Sequence, residues 1–333
     1  MEGFITLFHN AVLFGTVIMF GSVGEILTEK TGNLNLGVPG TMYLGGIAGL
    51  VSAFLYQNSC RAAGIAQSPV VLILLPFVCA FLAGALGGLI YSFLTTTLRA
   101  NQNVTGLALT TFGAGVANFF GGSLNQLAGG VGQISVAEAS ELYRKSIFAS
   151  VPASDTVRKL FLDYGFMVYL AIIVAFIVWF FLTKTNAGLN LRAVGENPAT
   201  ADAAGINVTK HKYLATCIGT GITGLGGLYY VMDYISGSWA NDATIENLGW
   251  LAVALVIFAT WKPLRSIWGS YLFGIFFWAY MLFAEHLSRR SQELIRMLPY
   301  VVTILVLVIV SLRKKKENQP PEALGLAYFR EDR

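Results

Sequence analysis

Apolar stretches long enough to cross a membrane recur from one end of this chain to the other, and no other feature constrains its fold as tightly. A hydrocarbon core about 30 Å thick calls for about 20 mostly apolar helical residues. On that scale, spans are expected near 4–24, 36–57, 69–95, 104–122, 165–183, 213–232, 247–261, 266–284 and 297–312. The fifth, GFMVYLAIIVAFIVWFFLT, and the ninth, MLPYVVTILVLVIVSL, are the plainest. The expected fold is therefore all-α, a polytopic membrane helix bundle of about nine transmembrane helices. Residues 1–312 form its membrane domain and 313–333 a tail. Charge agrees: only 12% of residues are charged, against about 25% in soluble domains. So few ions do not cover a water-facing surface.

The small positive balance, +4, comes largely from one run, Arg313 to Lys316. Basic residues beside an apolar span anchor it on the cytoplasmic side. No interleaving of aromatic and basic residues points to nucleic acid. Cys60, Cys79 and Cys217 lie far apart, so neither a disulfide framework nor a zinc site is suggested. MEGFITLFHN lacks the positive n-region of a cleavable signal, so the first span is expected to be retained. A cytoplasmic C-terminus and nine spans put the N-terminus outside. Inner loops then carry twelve basic residues, Lys30, Arg99, Lys184, Arg192, Lys210, Lys212, Lys262, Arg265 and the Arg313–Lys316 run, against eight outside. The 123–164 stretch becomes an outer loop, expected to carry a short surface helix or a docking element.

Glycine is abundant inside spans: Gly45 and Gly49, Gly84 and Gly88, and a cluster from Gly219 to Gly227. In lipid, helices associate through close backbone contact at small residues. The second span opens TGNLNLGVPGTMYLGG, where Pro39 between Gly37 and Gly40 predicts a broken helix. Such a break survives at depth only where protein or a water-lined cavity satisfies the freed backbone; a loop leading into an ordinary helix is the plainer reading. His9 is the main ionisable residue expected within a span, and no acidic pair is expected there. The neutral polar residues Thr105, Thr110, Thr111, Asn118, Thr216, Thr220 and Thr223 suit either a polar solute or neighbouring helices.

Between the fifth and sixth spans runs LNLRAVGENPATADAAGINVTKHK. Asn197 is a good N-cap, Pro198 suits the first helical position and Gly205 a left-handed stop. A helix of about two turns is predicted over Pro198–Ala204, with basic flanks on the inner side. A helix this short needs something to pack against, and a docking knob for a cytoplasmic partner is one answer. The chain has no phosphate-binding loop of its own: in GEILTEKT, Glu29 stands where glycine must precede Lys30. No hydrolase or metalloprotease signature is present either.

AVGENPATADAAGINV resembles the cytoplasmic coupling motif of permeases in the branched-chain amino acid, ribose and nucleoside ABC importer superfamily. LTEKTGNLNLGVPG, ANQNVTGLALTTFGAG, WLAVALVIFATWKPLRSIWGSYLFG and LIRMLPYVVTILVLVIVSLRKKKENQPPEALGLAYFRE are similar to the same group, in order along the chain. The tail looks most like the nucleoside-type branch, although Pro39 stands where that branch commonly has an acidic residue. The resemblance implies a permease subunit in a bacterial inner membrane, moving a nucleoside or related small polar solute. It implies a homologous permease partner in a heterodimer, two cytoplasmic ATPase domains that carry ATP and Mg, and an extracytoplasmic substrate-binding lipoprotein. No cofactor is expected on this chain. Glu196, Asn197, Pro198, Ala199, Asp202 and Gly205 would form the ATPase-coupling helix. The second span and its neighbours would line the translocation path, with Asn33, Asn35, Gly37, Pro39, Gly40, Asn103, Thr105, Asn118 and Thr220 as candidates. Simple sugars and branched-chain amino acids remain open as cargo. Of the other classes, an ion-coupled carrier calls for carboxylates within spans, and a membrane enzyme calls for clustered catalytic groups.

Overall fold

The computed structural model describes residues 2–127, 135–149, 151–152, 154–239, 243–279, 291, 294, 297–313 and 318–329. Among them the structure is all-helical, and six helices are long and apolar enough to cross a membrane. The first is α1 (Glu2–Glu29), followed by α2 (Val38–Ala63) and α3 (Pro69–Ser92), which a π-helical turn extends over Phe93–Thr97. Next come α4 (Gln102–Leu127), two short helices α5 (Ala137–Arg144) and α6 (Asp155–Val157), and α7 (Phe166–Lys184). The short helices α8 (Asn186–Glu196) and α9 (Pro198–Ala203) lead into α10 (Val208–Tyr229), which ends in a π-helical turn over Tyr230–Tyr234. Three shorter apolar helices close the fold: α11 (Thr244–Phe258), α12 (Pro263–Trp278) and α13 (Leu298–Arg313). They stand where the seventh, eighth and ninth spans were expected. Part of the eighth, from residue 280, lies outside the described residues.

The expected break in the second span is corrected. Pro39 occupies the first turn of α2, where its missing N–H has no partner to lose, and the helix runs on without interruption to Ala63. The irregular backbone lies before the helix, as an elbow over residues 30–37.

α10 sits at the centre, packed by α1, α2 and α3. Small residues make this possible. A methyl group on Gly24 would overlap the Gly219 carbonyl, and one on Gly45 would overlap the backbone of Gly224. Gly45 and Gly84, the first glycines of the two Gly-x-x-x-Gly pairs, thus mark backbone-to-backbone contact with α10. Lipid-length apolar faces remain outside: Val78, Leu82 and Leu86 of α3 are all exposed. At one end of the bundle α5 buries Ala139, Ser140 and Tyr143, and its Tyr143 hydroxyl donates to the Ile73 carbonyl at 2.7 Å. Part of the 123–164 stretch is therefore a surface helix seated on the bundle.

Candidate functional site

Two linked regions carry the functional geometry: the elbow between α1 and α2, and the short helix α9 on the face it shares with that elbow.

The elbow is buried irregular backbone, so every polar group in it needs a partner. Leu34 N donates to Gln102 Oε1 at 2.6 Å, and Gly37 N to Asn35 Oδ1 at 2.9 Å. The Leu34 carbonyl accepts from the Tyr91 hydroxyl at 2.6 Å, and the Leu36 carbonyl from Thr110 Oγ1 at 3.2 Å. Asn33 Nδ2 donates to Thr216 Oγ1 at 3.0 Å, tying the elbow to α10. Asn35 Nδ2 donates to Glu25 Oε2 at 3.1 Å. A sharp turn between α11 and α12 holds Thr260 and Trp261 at left-handed φ of 52° and 54°. It points the Trp261 indole N–H at Glu29 Oε2.

This overturns the expectation that the spans hold no acidic pair. α1 continues to Glu29, five residues past the expected end of the first span, and buries Glu25 and Glu29 one helical turn apart. Lys30, just beyond, has its ammonium pushed down from the ordinary lysine range, first by burial and in part by Arg192 and Lys262, with Glu196 opposing.

α9 forms where the caps predict. Asn197 Oδ1 accepts from Thr200 N at 2.9 Å, Pro198 opens the helix, and Gly205 turns at φ +85°. Ala201 faces inward onto a small apolar cluster with Val194 and Val208, against which Ile206 and Tyr328 pack. Glu196, Asn197, Ala199 and Gly205 stay exposed, Pro198 and Asp202 half-buried. The result is a protruding knob on its own small base.

Residues 318–329 form an irregular strap that ties the knob to the elbow, a role that no periodicity in the sequence signals. Glu322 N donates to Glu196 Oε2 at 3.4 Å and Ala323 N to the Gly195 carbonyl at 3.0 Å. Gly325 N donates to the Gly32 carbonyl at 3.0 Å, and the Tyr328 hydroxyl to Asp202 Oδ2 at 2.9 Å. At its start, Asn318 Oδ1 accepts from Lys262 Nζ at 3.0 Å. Beside the knob a cavity of about 800 Å³ is lined by Lys30, Arg192, Lys262, Arg265 and Glu196. Its charge is mostly positive.

The candidate path residues do not converge on one cavity. Asn33, Asn35, Gly37, Pro39 and Gly40 belong to the buried elbow and the start of α2. Thr105 and Thr220 are buried and turn back on their own helices, to the Asn101 and Thr216 carbonyls at 2.8 Å each. Asn103 and Asn118 lie on exposed parts of α4. A separate cavity of about 370 Å³ between α1, α11, α12 and α13 is lined by Phe14, Thr244, Asn247, Phe277 and Tyr300. Nothing in the apolar pattern marks it, because its residues come from four distant helices.

Residues 7–307 match the family described as "Branched-chain amino acid transport system / permease component". Among similar proteins is TsgC13 of Haloferax volcanii, named provisionally as a glucose ABC transporter permease protein. It is 33% identical over 288 residues, 86% of this chain and 78% of the relative. The nucleoside ABC transporter permease protein NupC of Lactococcus lactis is 30% identical over 306 residues, 90% of each. The guanosine ABC transporter permease protein NupQ of Bacillus subtilis is 28% identical over 334 residues, 96% of this chain and 95% of the relative. No solved structure matches the chain.

Proposed function

Because this chain belongs to the permease component family of branched-chain amino acid transport systems, we propose that it is the membrane-spanning subunit of an ATP-driven importer and that its cargo is a nucleoside. The observation that carries the mechanism is the capped knob α9, held by the strap to the elbow that leads into α2. A push on α9 reaches Gly195, and through Ala323 and Gly325 of the strap it reaches Gly32. The elbow passes it to α10 through Asn33 and Thr216. Two ATPase subunits bearing ATP and Mg supply the push from the cytoplasm, where the basic cavity beside the knob offers them a second contact. A second permease of the same family completes the pathway as a heterodimer, and an extracytoplasmic binding lipoprotein delivers cargo. We read α11, α12 and α13 as the remaining crossings, which gives nine and places the C-terminal strap inside and the N-terminus outside.

NupC and NupQ, similar over nine-tenths or more of their length, support the nucleoside reading. The 370 Å³ cavity supports it too: aromatic rings suit a base, and the amide of Asn247 suits ribose hydroxyls. TsgC13 keeps hexoses as the second reading. The test is uptake of labelled adenosine and uridine by the intact complex in membrane vesicles. Excess unlabelled nucleoside should compete, while glucose and leucine should not; competition by glucose replaces the nucleoside reading with the sugar one. Gly205→Pro is the test of coupling. It removes an N–H that donates to the Asp202 carbonyl at 2.9 Å and forbids φ +85°. Uptake should be lost while membrane insertion is kept, and undiminished uptake rejects α9 as the coupling helix.

A further inference from the structure

A cavity of about 710 Å³ opens between the π-helical turn at the end of α3 and the start of α10. Its wall carries three cations, Arg99, Lys210 and Lys212, and a single carboxylate, Asp202, to which Tyr328 already donates. Hydroxyls of Thr95, Thr96, Thr97 and Thr209 complete it. The first turn of α10 forms part of the wall, and the positive end of a helix favours an anion there.

Lys212 is what demands a ligand. The residue is only 3% exposed and lines the cavity, yet no hydrogen bond or ion pair holds its ammonium among the described residues. A buried charge without a counter-charge is strongly unfavourable, so a structure that keeps one facing a cavity keeps it for an anion. The surface beyond the cavity says which kind. Lys210, Leu214 and Ile218 follow one another at one-turn intervals along α10, and both apolar members are exposed. On α3, Leu82, Leu86, Ile90 and Phe93 form a matching exposed stripe that ends at the threonines. Two apolar stripes therefore rise into the membrane from a cationic, hydroxyl-lined cup.

We propose that this cup binds the phosphate group of an anionic phospholipid, with Lys212 as its central contact, Lys210 and the threonine hydroxyls around it, and the acyl chains lying along α3 and α10. The cup shares Asp202, Gly205 and Ile206 with the α9 region. The bound lipid is therefore a structural neighbour of the coupling knob.

The test uses the full-length chain, delipidated in detergent, and follows its thermal unfolding midpoint. Phosphatidylglycerol should raise the midpoint of the wild type by at least about 3 °C, and Lys212→Met, similar in volume and uncharged, should abolish the rise. Phosphatidylcholine should not reproduce it. Inorganic phosphate at the same concentration separates the sources: no effect assigns the site to a lipid headgroup, and an equal, Lys212-dependent effect assigns it to soluble phosphate. No rise with either anion, an undiminished rise in Lys212→Met, or a rise only when ATPase subunits are present overturns the proposal. Should Lys212→Met fail to accumulate, native mass spectrometry of the exposed-site variant Lys210→Gln decides. It should carry at least several-fold less co-purified phosphatidylglycerol than wild type, and equal retention rejects the site. None of these readouts depends on what the transporter carries.

Discussion

Glu29 is 3% exposed at the end of α1, and the Trp261 indole N–H is the donor aimed at its Oε2. That donor is held in place by two consecutive residues at left-handed φ, one of them the β-branched Thr260. Such residues store strain and persist only when the surroundings fix them. Trp261→Phe keeps most of the ring volume but leaves a buried carboxylate oxygen without its donor. The loss should be about 1–3 kcal/mol of stability, visible as a lower unfolding midpoint of the purified chain. Glu25 is in the more exposed position energetically, since its Oε1 has no hydrogen-bond partner among the described residues while Oε2 accepts from Asn35. The two carboxylates escaped sequence reasoning for a simple reason. Apolar character thins out after Gly24, which places the sequence-based end of the span there, whereas packing against α10 and the α11–α12 turn lets the helix continue. Asn33 and Asn35, by contrast, stood out as polar residues at a membrane edge. Their roles as internal staples, to Thr216 and to Glu25, became visible only in three dimensions.

At the scale of elements, local chemistry was readable and long-range chemistry was not. The caps of α9 were legible because Asn197, Pro198 and Gly205 each satisfy a requirement set by their own backbone. The elbow was half legible: Pro39 and its glycines announced irregular backbone, but whether the irregularity fell inside or before the helix depends on partners 57 and 68 residues away, Tyr91 and Gln102. The strap was invisible as a clamp, since Pro320–Pro321 predicts only irregular chain. The glycine faces give the sharpest test at this scale. Gly45→Val would drive a branched side chain into the backbone of Gly224, with Gly84 of α3 also close against that residue. Overpacking of this kind costs typically 1–3 kcal/mol, and here neither backbone can retreat without separating α2 from α10. The variant should accumulate in membranes at a small fraction of wild-type level, measured by quantitative immunoblot. Gly115, with open space around it, should accept Ala without such loss.

For the molecule as a whole, six long apolar helices, a buried polar elbow and a protruding knob tied to it by the strap form one connected frame. Reconstituted alone in liposomes, the chain should build no concentration gradient of adenosine. Co-reconstitution with its ATPase subunits and ATP should restore accumulation, and uphill transport by the lone chain would refute the proposed division of labour. The strap carries a further consequence for how the protein is made. Tyr328 lies 126 positions beyond Asp202, so the ribosome delivers the knob long before it delivers the segment that fastens it. A chain truncated before residue 318 lacks the strap's bonds to Glu196, Gly195 and Asp202, which leaves α9 with its own caps and an apolar base without Tyr328.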